Sequence, residues 1–182
     1  IKNIVEDADG LITFLVTNPN QNGKILGYDD GRPNAIVDFE QNIWAGILFT
    51  APDSSILSGV MTFLPSNIDD YSLRIYSGWL GNQPKDLILP EITNNVSWAP
   101  LDHRDGGWAF ISLIEEEIYL NRGEKYYIEF MYDGTGLLYS YDNTLFTSSM
   151  NATQSYIRLD GQNAIWQLLD EATTVKGNWN IR

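Results

Sequence analysis

The chain has 182 residues, a formal net charge of −13, no cysteine and one histidine. The composition excludes disulfides, cysteine-ligated metal sites and thiol nucleophiles, and one histidine is too few for a site that needs two or three imidazoles of one chain. The negative charge argues against nucleic acid and anionic membranes as partners, because both bind cationic surfaces, and it leaves carboxylates for calcium.

Short runs rich in β-branched and aromatic residues alternate with turn-forming residues along the chain, which predicts many short strands. Segments 18–23 (NPNQNG) and 29–33 (DDGRP) are typical of the breaks between strands. The predicted strands cover residues 11–17, 25–28, 35–39, 43–49, 56–64, 72–76, 87–89, 96–99, 108–113, 118–120, 125–132, 137–141, 156–159, 165–168 and 179–181. A short segment, 167–173, is the one helical candidate.

Several of these strands alternate with a period of two, as strands with one buried face do. In segment 72–76 the apolar residues at 73 and 75 are expected to point inward. In segment 125–132 the even-numbered residues form one face, and the odd-numbered residues, Glu129 among them, form the other. The predicted core includes Phe14, Phe49, Leu73, Ile75, Ile128, Phe130, Ile157 and Trp179.

This pattern predicts an all-β fold: a two-sheet antiparallel β-sandwich that is jelly-roll-like. We expect one domain over residues 1–182, because no change of composition marks a boundary. Residues 1–23 would form an N-terminal strand and a linker to a preceding module. The chain starts at Ile1 rather than Met, which favours a processed protein or a piece of a larger one.

Four stretches, in order, resemble a β-sandwich accessory domain of large secreted proteins from Bacteroidetes-type bacteria. They are LGYDDG (26–31) with AGILF (45–49), YSLRIY (71–76), GWAFISL (107–113) with GEKYYI (123–128), and YIRLDG (156–161) with Trp166 and GNWNIR (177–182). Such domains often follow peptidase modules. The resemblance implies a jelly-roll-like, noncatalytic, extracellular module, and it implies no particular ligand.

The single histidine, His103, lies in the segment DHRD (102–105) just before two glycines. As a general base it would need an orienting carboxylate and a nucleophile brought from other strands. The surrounding residues favour a polar loop instead. Since no nucleophile–base pair is visible, we predict that the chain is not an enzyme.

Calcium is the cofactor that this composition favours, since it takes oxygen ligands from carboxylates and carbonyls on irregular loops. Asp29, Asp30 and Asp142 lie between predicted strands and are the candidate ligands of a structural calcium. The alternative is that these residues form Asx turns, in which the side chain caps its own backbone.

The six tryptophans fall into two groups. Trp79 lies in a predicted loop, and Trp98 stands just before Ala99 and Pro100, at the end of segment 96–99. An exposed indole at such a place can stack on a sugar ring, so these two are the candidate ligand-binding residues. The alternative is that each is a hydrophobic plug under a loop. The other four lie in strand contexts and are expected to pack between the sheets: Trp44, Trp108, Trp166 and Trp179.

These observations predict a noncatalytic extracellular binding or adhesion module of a multidomain protein, secreted or at the bacterial cell surface. Its partners would be a glycan or a cell-surface protein, and other domains of the same polypeptide. The alternative is a structural or assembly role, as a subunit of a surface layer or filament or as a spacer against a protease. Membrane insertion is not expected, because no apolar run approaches the roughly 18 residues that a spanning helix needs.

Overall fold

A computed structural model describes residues 4–6, 12–18, 21–27, 35–39, 42–64, 70–95, 107–133, 137–142, 154–159, 165–175, 177–179 and 181. The strands in these ranges are β1 (Ile4–Glu6), β2 (Ile12–Asn18), β3 (Gln21–Gly27), β4 (Ala35–Phe39), β5 (Ile43–Thr50), β6 (Ser55–Ile56), β7 (Gly59–Leu64), β8 (Asp70–Leu80), β9 (Gln83–Asn95), β10 (Gly107–Ser112), β11 (Tyr119–Leu120), β12 (Lys125–Asp133), β13 (Leu137–Asp142), β14 (Ser155–Leu159), β15 (Trp166–Leu168) and β16 (Asn178–Trp179). A short 3₁₀ helix (Ile114–Glu116) and a single-turn helix α1 (Leu169–Ala172) accompany them.

The described strands pair antiparallel throughout, as the alternating sequence pattern predicts. The largest sheet has six described strands in the order β15-β14-β5-β12-β8-β9. Opposite it, β16-β13-β4 and β10-β7 form a second layer, in which a bridge between Thr62 and Ile181 links β7 to the chain just after β16. The strands β1-β2-β3 form a further three-stranded sheet, and β11 pairs with β6. The predicted all-β sandwich is confirmed.

The hydrophobic core lies between the six-stranded sheet and the second layer. Most of the predicted core residues are buried there: Phe49, Leu73, Ile75, Ile128, Phe130, Ile157 and Trp179. The second layer contributes Val60, Ala109 and Ile111. Phe14 lies in β2, and its side chain falls outside the described part of the structure.

The longest hairpin, β8–β9, was only partly visible in the sequence. Segment 87–89 was expected to be a short strand, whereas β9 runs from Gln83 to Asn95. Pro84 and Pro90 interrupt its pattern, but proline is tolerated on an edge strand and at bulges, and β9 is an edge of the described sheet with register shifts opposite Ile75. Gly81 closes the hairpin with a φ of 63°, which a hairpin turn needs at its first central residue.

Candidate functional site

The six-stranded sheet has a second face, opposite the core, that carries aromatic and charged side chains. We call it the aromatic face. It consists of Trp44, Leu48, Arg74, Tyr76, Trp79, Glu91, Tyr127, Glu129, Tyr156, Arg158, Trp166 and Leu168. The alternation of β8 and β12 explains the positions of Arg74, Tyr76, Tyr127 and Glu129, because the residues between the core positions point to the opposite side.

Glu129, in the middle of β12, is the centre of the aromatic face. It is 0% exposed. Arg158 Nη2 donates to its Oε1 at 2.8 Å, Tyr76 Oη donates to Oε1 at 3.1 Å, and Trp166 Nε1 donates to Oε2 at 3.2 Å. Arg74 Nη1 lies 3.9 Å from Oε1. A buried carboxylate is tolerated only when it is paired and hydrogen-bonded, and these donors from three other strands supply both.

Two guanidinium groups connect Glu129 to the surrounding rings. Arg74 lies over the Trp44 ring, with its Cζ 4.0 Å from the ring centroid, and it forms an ion pair with Glu91 at the more exposed edge. Arg158 lies 5.1 Å from the Trp44 centroid and 5.0 Å from that of Trp166. Each arginine therefore contacts both a carboxylate and an aromatic face, which fixes the planes of Trp44 and Trp166.

Beside this charged centre, four rings pack against one another. Trp79 lies 4.7 Å from Tyr156 and 5.2 Å from Tyr127, measured between ring centroids, and Tyr76 lies 6.0 Å from Tyr127. Gly46 of β5 makes room for this cluster, since a side chain there would collide with the phenol of Tyr127. The rings of Tyr76 and Trp79 are half-buried and Tyr127 is fully buried, so the cluster has a solvent-facing rim over a closed base.

The phenols in this cluster stay protonated at physiological pH. Burial, with the adjacent charge of Glu129, raises the pKa of Tyr76 to about 12. Burial also raises the pKa of Tyr127 well above its ordinary value. Both hydroxyls therefore keep their protons, and that of Tyr76 donates to Glu129. Within the described residues, Tyr127 Oη and Trp44 Nε1 are buried without a hydrogen-bond partner.

One of the two predicted ligand-binding residues, Trp79, lies in a different setting from the one expected. Trp79 was expected in a loop, and that prediction is wrong: it lies in β8, opposite Pro84 of β9, and packs against Tyr127 and Tyr156. The strand continues past Tyr76 because the hairpin turn comes only at Gly81. The part of Trp79 in ligand binding stays a prediction. Trp98 and His103 lie outside the described residues.

The four tryptophans that were predicted to lie in the core occupy three different settings. Trp179 is buried between the two layers, as expected. Trp44 and Trp166 do not lie between the layers, because they project from β5 and β15 onto the aromatic face. Trp108 is half-buried and packs edge-to-face on Phe63, 5.8 Å between centroids, on the outside of the β10–β7 pair. Ile43 and Ala45, the neighbours of Trp44 on β5, occupy inward positions, as does Ala109 beside Trp108.

The predicted calcium site falls mostly outside the described part of the chain. Asp29 and Asp30 are not among the described residues. Asp142 is the last residue of β13, aligned with Asn178 of β16, and its side chain is not described. Within the ranges that the structure covers, no three acidic or histidine side chains are grouped as a metal site would require. The structural calcium therefore stays a prediction.

Sequence reasoning missed the charged centre of the aromatic face. Its signal is a charged residue in the interior of a strand with an apolar residue on either side, and this occurs in three strands: Arg74 in β8, Glu129 in β12 and Arg158 in β14. Opposite charges in such positions can neutralise each other when their strands lie close together in one sheet. The strand order that brings them together is not visible in the sequence.

Comparisons with known proteins bear mainly on the fold. No family model matches the chain, and no curated protein matches it. A structure of the clostridial cysteine protease Cwp84 after propeptide cleavage is similar, with a TM-score of 0.58 and 17% identity, covering 82% of this chain and 36% of that one.

A second structure holds the cysteine protease and lectin-like domains of Cwp84, a surface-layer-associated protein of Clostridium difficile. Its TM-score is 0.56 and its identity 18%, with 78% of this chain and 31% of that chain covered. The chain thus spans less than half of each matched structure. Both likenesses agree with a β-sandwich, and the resemblance to a Bacteroidetes-type domain stays a prediction. In the described part of the chain, neither helix has the length or apolar character to cross a membrane.

Proposed function

We propose that this chain is a noncatalytic binding module of a secreted or surface protein and that it holds a carbohydrate against the aromatic face. The observation that carries the proposal is the set of half-buried rings of Tyr76, Trp79 and Trp166 on one side of the sheet, with Arg74 and Glu91 beside them. Such rings offer flat apolar surfaces for the faces of sugars, and the charged groups offer hydrogen bonds to hydroxyls.

Pre-organisation of these rings supports binding. Trp166 and Tyr76 both donate to the buried carboxylate of Glu129, and Trp79 is packed against two tyrosines. A ring that is already fixed loses little conformational entropy when a ligand stacks on it. The aromatic face is therefore suited to a ligand that gains most of its free energy from shape and stacking.

The chemistry of the same face supports a noncatalytic role. A glycosidase needs two carboxyl groups that reach the substrate from either side of the scissile bond. Glu129 is fully buried and accepts hydrogen bonds from Arg158, Tyr76 and Trp166, so its carboxylate is not accessible to a substrate. Glu91 forms an ion pair with Arg74.

The similar structures support the same proposal. One contains a lectin-like domain beside a cysteine protease, in a protein associated with a surface layer. By analogy, this cysteine-free, all-β chain would be the accessory module beside a catalytic domain. The analogy favours carbohydrate as the ligand class and the cell surface as the location.

A glycan array with the isolated chain tests the proposal. We expect a weak carbohydrate ligand, with Trp79→Ala and Trp166→Ala each reducing affinity about 5- to 30-fold, equivalent to about 1–2 kcal/mol. Trp108→Ala is the matched control, since this half-buried indole lies on the opposite layer. Trp98→Ala tests whether the predicted second tryptophan takes part. Melting temperatures separate lost binding from lost folding, because Trp79 also packs against Tyr127 and Tyr156.

Two results would contradict the proposal. One is an array without any bound glycan for the folded chain. The other is a bound glycan whose affinity Trp79→Ala and Trp166→Ala leave unchanged. The first result would favour the structural or spacer role.

A further inference from the structure

An apolar cavity opens on the core side of the six-stranded sheet, on the side opposite the aromatic face. Its volume is about 560 Å³. Phe49, Tyr126 and Ile128, all buried, line its inner side, and Leu26 of β3 borders it. A cavity of this size with a mostly apolar lining falls in the range of binding pockets rather than packing defects.

The rim of this cavity exposes large apolar side chains. Phe110 is 59% exposed, Ile114 58% and Ile56 52%, and all three line the cavity. Tyr119, directly opposite Ile56 in the β11–β6 pair, is 64% exposed. Neighbouring exposed side chains of this size mark interaction surfaces. A small molecule inside the cavity would leave the apolar rim exposed to water, whereas a polypeptide segment would cover the cavity and the rim together.

The charges around the rim indicate which kind of polypeptide segment would bind there. The 3₁₀ helix that carries Ile114 continues into exposed glutamates at 115–117, and Asp53 lines the cavity. The loop with Arg122 and Lys125 runs beside residues 51–54 and also carries Glu124, so the carboxylates named here outnumber these two cations. A second copy of this chain would bring another net charge of −13 and be repelled. A cationic segment would be attracted.

We propose that the cavity and its rim dock a segment of another domain or protein in which a large apolar side chain is flanked by lysine or arginine. The apolar side chain enters the cavity between Phe110 and Phe49, and the flanking cations face the glutamates at 115–117. This site is separate from the aromatic face and does not depend on carbohydrate binding.

Panning a displayed random-peptide library on the isolated chain tests this docking site. We expect enriched peptides with an aromatic or branched apolar residue next to lysine or arginine. The best of them is then synthesised and titrated by fluorescence polarisation. Phe110→Ser combined with Ile114→Ser should weaken its binding about fivefold or more, since both side chains would be central contacts.

Two matched controls separate the rim from general surface effects. Leu80→Ser with Leu87→Ser removes two equally exposed apolar side chains from the β8–β9 hairpin and should leave binding unchanged. Glu115→Lys with Glu116→Lys should weaken binding at low salt, and the loss should shrink at high salt because screening removes it. Glu171→Lys, on the exposed side of α1, is the charge control.

Four results would overturn the docking site. Two concern the library: no enrichment over the bare support, or enriched peptides without basic residues. The third is a peptide that binds the Phe110→Ser, Ile114→Ser variant as tightly as the wild type. The fourth is a dimer of the wild-type chain, seen by light scattering, that becomes monomeric in this variant. The last result would identify a second copy as the occupant. If the double serine variant has a lowered melting temperature, the test of the docking site rests on the charge reversals Glu115→Lys and Glu116→Lys, which lie on exposed side chains.

Discussion

The two faces of the six-stranded sheet are built by alternate residues of the same strands, yet they are stabilised differently. On the inner face, Ile75 of β8 and Ile128 of β12 are buried among apolar side chains. On the aromatic face, Arg74 and Glu129 of the same two strands are neighbours in an ion-pair network. Apolar burial is non-directional, whereas the network depends on each donor meeting an acceptor. We therefore expect a buried residue of the inner face and a buried residue of the aromatic face to respond differently to mutation.

The largest effect is expected from Glu129→Ala. This change leaves the guanidinium of Arg158 buried without its partner and removes the acceptor of Tyr76 and Trp166. We expect the free energy of unfolding to fall by about 3–5 kcal/mol, because an uncompensated buried charge is costly. Urea denaturation measures it.

Glu91→Ala is the matched control on the same face. Glu91 pairs with Arg74 at the exposed edge, so its loss should cost about 1 kcal/mol or less. Replacing both members of the buried pair, with Glu129→Leu and Arg158→Met, should recover much of the loss, since apolar residues of similar volume often substitute for a buried ion pair. Equal losses of stability in Glu91→Ala and Glu129→Ala would show that the buried centre of the network contributes no more to stability than its exposed edge.

On the inner face, Ile75→Ala should cost about 2–5 kcal/mol, from lost apolar burial and the cavity left behind. Unlike the loss at Glu129, this loss should be recovered by a single apolar side chain, so Ile75→Val should cost only about 0.5–1.5 kcal/mol. Parallel urea curves give both values. A comparable loss for Ile75→Val and Ile75→Ala would argue against a simple apolar core at this position.

Two tyrosines sharpen the comparison within the aromatic face. Tyr76 donates to Glu129, so Tyr76→Phe should lower the free energy of unfolding by about 1.5–3 kcal/mol, as expected for a hydrogen bond to a charged group. Tyr127 Oη is buried without a partner in the described structure, so Tyr127→Phe should be neutral or slightly stabilising. Thermal unfolding of the two variants is the measurement. A larger loss of stability in Tyr127→Phe than in Tyr76→Phe would contradict the prediction.

The smallest expected effect concerns alkaline pH. The pKa of Tyr76 rises from about 10 to about 12 on folding, so the native state keeps this proton after the unfolded chain has lost it. Its contribution to stability is complete below pH 10 and is lost as the pH rises from about 10 to 12. Stability measured across this window should fall less steeply in Tyr76→Phe than in the wild type. An unchanged slope would mean that Tyr76 titrates normally.

Much of the fold could be predicted because strand periodicity is a local property. The alternation in segments 72–76 and 125–132 placed Leu73, Ile75, Ile128 and Phe130 on the buried side, and each is buried there. The same alternation placed Glu129 on the opposite side. The two prolines of β9 hid the length of its strand, because their tolerance depends on the strand being at an edge.

The sequence by itself determined which side chains share a face within one strand, since successive residues of a strand point to opposite sides. It could not determine which strands are neighbours. Only the tertiary structure placed β14, β5, β12 and β8 side by side, and only that order brings Arg158, Trp44 and Arg74 around Glu129. Contacts between strands far apart in the chain are set by packing of the whole sandwich, which leaves no local pattern to read.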